Sequence, residues 1–153
     1  MTIKEMIRRK KEERAKIKEK KIIAKANLIY EKYMAKSMFL LSETPLKSAN
    51  YIIEQAKKLE GDLKNGKIKS ILDYEERYYD LSQDIKRLND LKHEDDMWFL
   101  DIISLKGLTE EQKGKISAIH SQISYYLSNQ LSRAMTATRN CEYTRMKIFE
   151  KRI

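Results

Sequence analysis

Residues 109–150 read TEEQKGKISAIHSQISYYLSNQLSRAMTATRNCEYTRMKIFE. Ile116, Ile119, Ile123, Leu127, Leu131, Ala134, Cys141 and Ile148 recur at three-, four- and seven-residue steps, which place them along one face of an α-helix. Thr109 with Gln112 matches a capping box, in which each side chain takes a free backbone N–H of the other residue. Glu110 and Glu111 suit the positive end of a helix. Gly114 lies near the start and costs about 1 kcal/mol there. The stretch predicts one helix of roughly 60 Å at 1.5 Å per residue. So long an apolar line needs other helices to cover it, and the fold class follows from that need.

Upstream segments agree. Ile71, Tyr74, Tyr78, Leu81, Ile85 and Leu88 alternate three- and four-residue steps, a coiled-coil-like seam on a helix over about 67–92. Leu46, Ala49, Ile52, Ile53, Ala56, Leu59 and Leu63 form the face of a helix over about 45–64. Thr44 is its expected cap, Pro45 its first residue, and Asn65-Gly66 its end. Asp95 or Asp96 is expected to cap a short helix, Met97 to Leu105, that holds the only tryptophan, Trp98, and closes at Gly107. Thr2 with Glu5 opens a first helix over about 3–41. Its second half carries Ile22, Ile23, Ala26, Ile29, Tyr30, Tyr33, Met34, Met38 and Leu41 at helical spacing. No alternating β-branched run bounded by tight turns signals a strand. The expected fold is all-α: an elongated helical bundle of about four long helices plus one short helix, with a projecting basic N-terminal helix.

The first half of that helix has a different character. Lysine recurs every seven residues at Lys4, Lys11, Lys18, Lys25 and Lys32, near one line along a helix. Arg8, Arg14 and Lys21 thicken the stripe, while only Ala15 and Ile17 are apolar between Arg8 and Lys21. This implies a division into a projecting basic arm, 1–21, and a helical bundle, 22–153. Local pairs such as Glu5–Arg9 and Glu12–Lys16 would each add about 0.2–0.5 kcal/mol. They leave the segment strongly basic, and an acidic partner would relieve its repulsion.

Composition narrows the function classes. The 153 residues fit one domain, or one domain plus an appendage. Net charge is +9, unevenly spread: residues 1–25 carry +7, residues 73–101 carry −6, and residues 112–153 carry +6. Such polarity bears on partners and association rates. The single cysteine excludes an internal disulfide and suits a reducing compartment. No apolar run approaches the ~18–20 residues of a membrane span, and no signal-peptide pattern is present. A soluble, cytoplasmic protein is expected.

Few motifs carry chemistry. His93-Glu94-Asp95-Asp96 is the one dense cluster of metal- or proton-capable side chains. A metal site there needs ligands from other segments, and His120 is the only other histidine. A helix junction with an aspartate cap is the simpler expectation, so no metal and no cofactor is expected. Cys141 lies on the apolar line, where a small buried side chain is favoured over a nucleophile. Ser117, Ser121, Ser124, Ser128 and Ser132, with Thr136, form a small-residue stripe. It fits helix packing or a mildly polar solvent face, and less well hydroxyl contacts to phosphate. Nine tyrosines, including the pairs Tyr78-Tyr79 and Tyr125-Tyr126, suit half-buried positions better than base stacking. No phosphate-binding glycine loop, catalytic triad, zinc spacing or RNA-binding signature occurs, so no catalytic residue is expected.

The sequence thus predicts a non-enzymatic helical binding protein. Lys4, Arg8, Lys11, Arg14, Lys18, Lys21 and Lys25 would dock its N-terminal helix on nucleic acid or a ribonucleoprotein. The alternative is a protein-assembly factor, a scaffold, adaptor or inhibitor whose long terminal helices bind a larger complex. An acidic protein surface or self-association would then replace nucleic acid as the partner. A membrane surface is disfavoured, because residues 8–21 lack a bulky apolar face.

Overall fold

A computed structural model describes residues 2–150 of the chain. Met1 and residues 151–153, the last three of the predicted bundle segment, lie outside the described residues. The described residues form helices joined by short turns, with no strand among them. The elements are α1 (Ile3–Leu40), α2 (Glu43–Lys64), α3 (Ile71–Ile103) and α4 (Glu110–Glu150).

Both capping boxes form. Glu5 N–H donates to Thr2 Oγ1 at 3.2 Å, and Thr2 N–H donates to Glu5 Oε2 at 3.4 Å. Gln112 N–H donates to Thr109 Oγ1 at 3.1 Å, and Thr109 N–H to Gln112 Oε1 at 3.0 Å. Other boundaries differ from the sequence expectation. The second helix starts two residues earlier, with Ser42 rather than Thr44 as its cap, so Pro45 sits in the first turn and not at its first position. The third begins at Ile71 on a Ser70 cap, and Ile68 ahead of it is buried as part of the core.

The largest correction concerns residues 93–105. No break occurs at Asp95 or Asp96, and the expected short helix is the last stretch of α3. Asp95 is buried inside the helix and is satisfied by a side chain from α4, so it caps nothing.

Contacts along α4 reveal the arrangement. Asn27 pairs with Gln112, the backbone of Ser42 with Tyr126, Asn50 with Arg133, Ala56 with Cys141, and Glu60 with Thr144. The partners are 85, 84, 83, 85 and 84 residues apart in sequence. A nearly constant offset means that α1 and α2 both run parallel to α4, one after the other. They are two pieces of one rod, interrupted at Leu41-Ser42. A continuous helix is blocked there because the Pro45 ring would clash with the carbonyl of Leu41. Contacts from Tyr74 to Glu142 and from Asp95 to His120 run the opposite way, so α3 is antiparallel to α4. The bundle is thus three rods in four pieces, not four long helices and a short one.

Packing follows from this register. Ile116, Ile119, Ile123 and Leu127 of α4 meet Ala26, Tyr33 and Leu40 of α1 with Leu88 and Ile102 of α3. Further along, Ala134 and Cys141 meet Ile52, Ala56, Leu59 and Leu63 of α2 with Tyr74 and Leu81 of α3. Each large aliphatic side chain so buried stabilises the fold by about 1.5–3 kcal/mol. Ile22, Ile23 and Met38, expected on the inner face of the first helix, are exposed, and so is Ile71 of the seam. Ser37, Gln130 and Thr138 occupy inner positions that the apolar pattern did not mark.

The same offset explains where packing stops. Glu110, the first residue of α4, corresponds to Lys25 of α1, and every residue from Thr2 to Lys25 is exposed. Gly107, at φ 96°, turns the chain beside α1 at this level. A Cβ there would lie 3.0 Å from the Ile22 carbonyl oxygen and 3.2 Å from the Ala26 Cβ. Only glycine therefore fits the turn and its approach to α1.

Candidate functional site: a basic helix face and a buried polar junction

Lys4, Arg8, Lys11, Arg14, Lys18, Lys21 and Lys25 are all exposed on one continuous helix. At 3.6 residues per turn they span an arc of about 140°. Among the described residues of this segment, the ion pair formed is Arg8–Glu12 at 3.8 Å. The pairs expected at Glu5–Arg9 and Glu12–Lys16 are not made. Six of the seven stripe residues therefore carry a cation without an ion-pair partner among the described residues. Ile3, Met6, Ile7, Ile17 and Leu28 are also exposed; Ile7 falls within that arc, Ile3 at its edge, and Leu28, Ile17 and Met6 follow within about 60° beyond it.

The serine stripe is distributed differently. Ser117, Ser121 and Ser132 are exposed, and Ser124 and Ser128 are half-buried. Close approach of α2 and α4 occurs at Ala56 and Cys141, where the thiol donates to the Ala56 carbonyl at 2.9 Å. Burial, with the Glu60 carboxylate nearby, pushes the Cys141 thiol up to about 11. That chemistry suits a packed small side chain rather than a nucleophile. Tyr33 and Tyr74 are buried, whereas Tyr51, Tyr79, Tyr125 and Tyr143 are exposed on α2, α3 and α4, away from the basic segment. A groove of about 460 Å³ between α2 and α3 is lined by Tyr51, Ile52, Leu88 and Leu91 with Asp84 and Arg87. Those two charges already pair at 3.2 Å.

The second feature is a polar junction where three helices meet. His120 of α4 donates from Nδ1 to Asp95 Oδ2 at 3.0 Å, and its Nε2 lies 3.5 Å from Asp96 Oδ1. Phe99 stacks on the imidazole, with centroids 3.9 Å apart and planes 5° from parallel. Trp98 meets Tyr33 edge-on at 5.4 Å, and the Lys36 ammonium sits 4.6 Å from the Trp98 ring centre. Burial pushes the Asp95 carboxyl above the usual carboxylate range, and the His120 hydrogen bond pulls it the other way. The Tyr33 phenol is raised by burial and by the facing Asp95. Ser37 and Asp95 both lie beside that phenol; hydrogen bonding to Asp95 adds to the rise and hydrogen bonding to Ser37 opposes it. The Tyr33 hydroxyl and Ser37 Oγ are both buried, and these hydrogen bonds fall short of ideal length or angle.

Sequence reasoning identified the condition for this junction, convergence of a distant histidine on Asp95-Asp96, but not that the chain meets it. The signal lies in the antiparallel register of α3 and α4, which a single sequence does not display. Comparisons with protein-family models, curated proteins and solved structures find no match. No helix among the described residues is long and apolar enough to cross a membrane.

Proposed function

We propose that the protein is a non-enzymatic binding protein whose basic N-terminal helix docks on nucleic acid or a ribonucleoprotein. The observation that carries this reading is the exposed row Lys4, Arg8, Lys11, Arg14, Lys18, Lys21 and Lys25 on a helix that lies past the start of α4. Six of these cations lack an ion pair among the described residues, and like charges along one helix repel. Phosphates offer a regular line of negative charge, and the release of their counterions drives binding without base contacts. The helix supplies the rigidity, and the bundle anchors it through Ala26, Tyr33 and Leu40.

A second reading is favoured by Ile3, Met6, Ile7, Ile17 and Leu28, which expose apolar surface along the same helix. A protein-assembly factor would set these apolar side chains, which border and interrupt the basic arc, against a larger partner, with the lysines meeting an acidic rim.

Affinity capture of the full chain from its native cells, with and without nuclease, separates the two. Under the nucleic-acid reading, Lys11→Glu/Arg14→Glu/Lys18→Glu loses its partner while retaining helicity, because Glu and Lys form helices about equally well. Nuclease then releases the parent's partner too. A complex that resists nuclease but fails in the triple variant supports the assembly reading. Unchanged capture by the triple variant refutes both roles for the stripe.

A further inference from the structure

We infer that the outer face of α3 is a docking surface for the basic N-terminal segment of α1 from a second copy of this chain. Glu76, Asp80, Asp90, Glu94 and Asp101 are all exposed on α3. At 3.6 residues per turn they fall within an arc of about 80° and extend about 38 Å along the helix. The basic stripe extends about 32 Å from Lys4 to Lys25. The two rows are opposite in sign and similar in length.

Neither row is neutralised within its own molecule. None of the five acids forms an ion pair among the described residues, and six of the seven stripe cations lack one as well. Arg87, which falls within the acidic arc, is held by Asp84 at 3.2 Å, and Arg77 by Asp62 at 2.8 Å. Apolar side chains border both rows. Leu72, Tyr79 and Met97 are exposed at the edge of the acidic arc or within about 20° of it. Ile7 lies within the basic arc and Ile3 at its edge. Helix against helix, the contact covers these side chains and pairs the charges beside them.

The contact requires a second molecule. Asp101 is level with Ile22 and Lys25 of its own α1. From that level α3 leads back toward Tyr74, which meets Glu142 far along α4. The basic segment leads the other way, past the start of α4. The two rows of one molecule therefore diverge along the bundle axis. Residues 112–153 carry +6 and residues 73–101 carry −6, so α3 is the surface toward which the charge of another copy steers the stripe. Each exposed ion pair is weak and screened by salt, so the association is reversible and salt-sensitive. The inference does not rest on the nucleic-acid reading: it is measured on protein free of nucleic acid, and either can fail alone.

The test is sedimentation velocity on the nuclease-treated full-length chain, at concentrations up to about 100 µM. The parent should associate at about 0.1 M salt and return to monomer at about 1 M, where the screening length falls from about 10 to about 3 Å. Asp80→Lys/Asp90→Lys/Glu94→Lys alters exposed side chains and should keep its helicity yet stay monomeric. Its neutral form, Asp80→Asn/Asp90→Asn/Glu94→Gln, should weaken association by about tenfold or more. Lys11→Glu/Arg14→Glu/Lys18→Glu should be monomeric too. An equimolar mixture of the two charge-reversed variants should associate again, the unaltered stripe of one on the unaltered α3 of the other. Both variants keep a net positive charge, so general attraction does not account for that rescue. A parent that is monomeric at low salt overturns the inference. So does association undiminished in either α3 variant, or a mixture that stays monomeric.

Discussion

Neutralising Lys11, Arg14 and Lys18 to Gln should change the salt dependence of nucleic-acid binding by a calculable amount. All seven stripe residues are exposed, so each is available to one phosphate. On duplex DNA each contact contributes about 0.9 to the slope of log affinity against log salt. Seven contacts give a slope near −6, and four give one near −3.6. Raising salt from about 50 to about 200 mM should weaken the parent roughly ten-thousandfold and the variant only about a hundredfold. Fluorescence anisotropy with a labelled duplex, repeated at five salt concentrations, measures both slopes. Circular dichroism on the same samples checks that the helix is retained. Equal slopes for parent and variant would refute the premise that these three side chains meet phosphates. A parent slope near zero would refute the nucleic-acid reading as a whole.

Three further outcomes test the architecture. Deleting residues 1–21 should shift the melting temperature by no more than a few degrees, because residues 2–25 are all exposed; loss of most of the cooperative transition would show that the segment is structural. Ile123→Asp should abolish folding, since Ile123 is fully buried and an unpaired charge there costs several kcal/mol, whereas Ile123→Ala should fold with about 2–5 kcal/mol less stability by chemical denaturation. An Ile123→Asp variant that melts like the parent would remove α4 from the core. The raised pKa of Cys141, pushed to about 11, leaves little thiolate at pH 8, so a disulfide reagent should label the native protein far more slowly than the guanidinium-unfolded chain; equal rates would contradict its burial.

How much of this was legible depended on whether a residue's role is local. Thr2 with Glu5 and Thr109 with Gln112 act within one turn, and both boxes form as read. Ile116, Ile123 and Leu127 repeat strongly enough to mark a buried face without knowledge of the partner helix. Asp95 failed for the opposite reason. A buried aspartate and a capping aspartate look alike in one sequence, and the residue that distinguishes them, His120, is 25 positions away. Ser37 and Thr138 are polar residues at inner positions, so a hydrophobic pattern passes over them. Ile22 and Ile23 misled because helical spacing shows which residues share a side, not whether another helix is present to cover them. The basic stripe was visible at once, since exposed charges owe their spacing to the helix alone. Its ligand was not, because charge specifies a sign and a length but no chemical identity.

Gly107 has one more consequence, for the size of what α1 could hold. The turn it permits places Leu105 and Lys106 beside Ile22, Lys25 and Ala26. Lys25 is the last member of the stripe, so the turn stands as a wall at that end. From Lys4 to the wall is about 32 Å at 1.5 Å per residue. One turn of duplex DNA rises about 34 Å. A polymer lying along the stripe would therefore meet this wall at Lys25, about one duplex turn from Lys4. The helix would act as a track with a stop at Lys25, and a ligand would gain no further contacts from this face past that point.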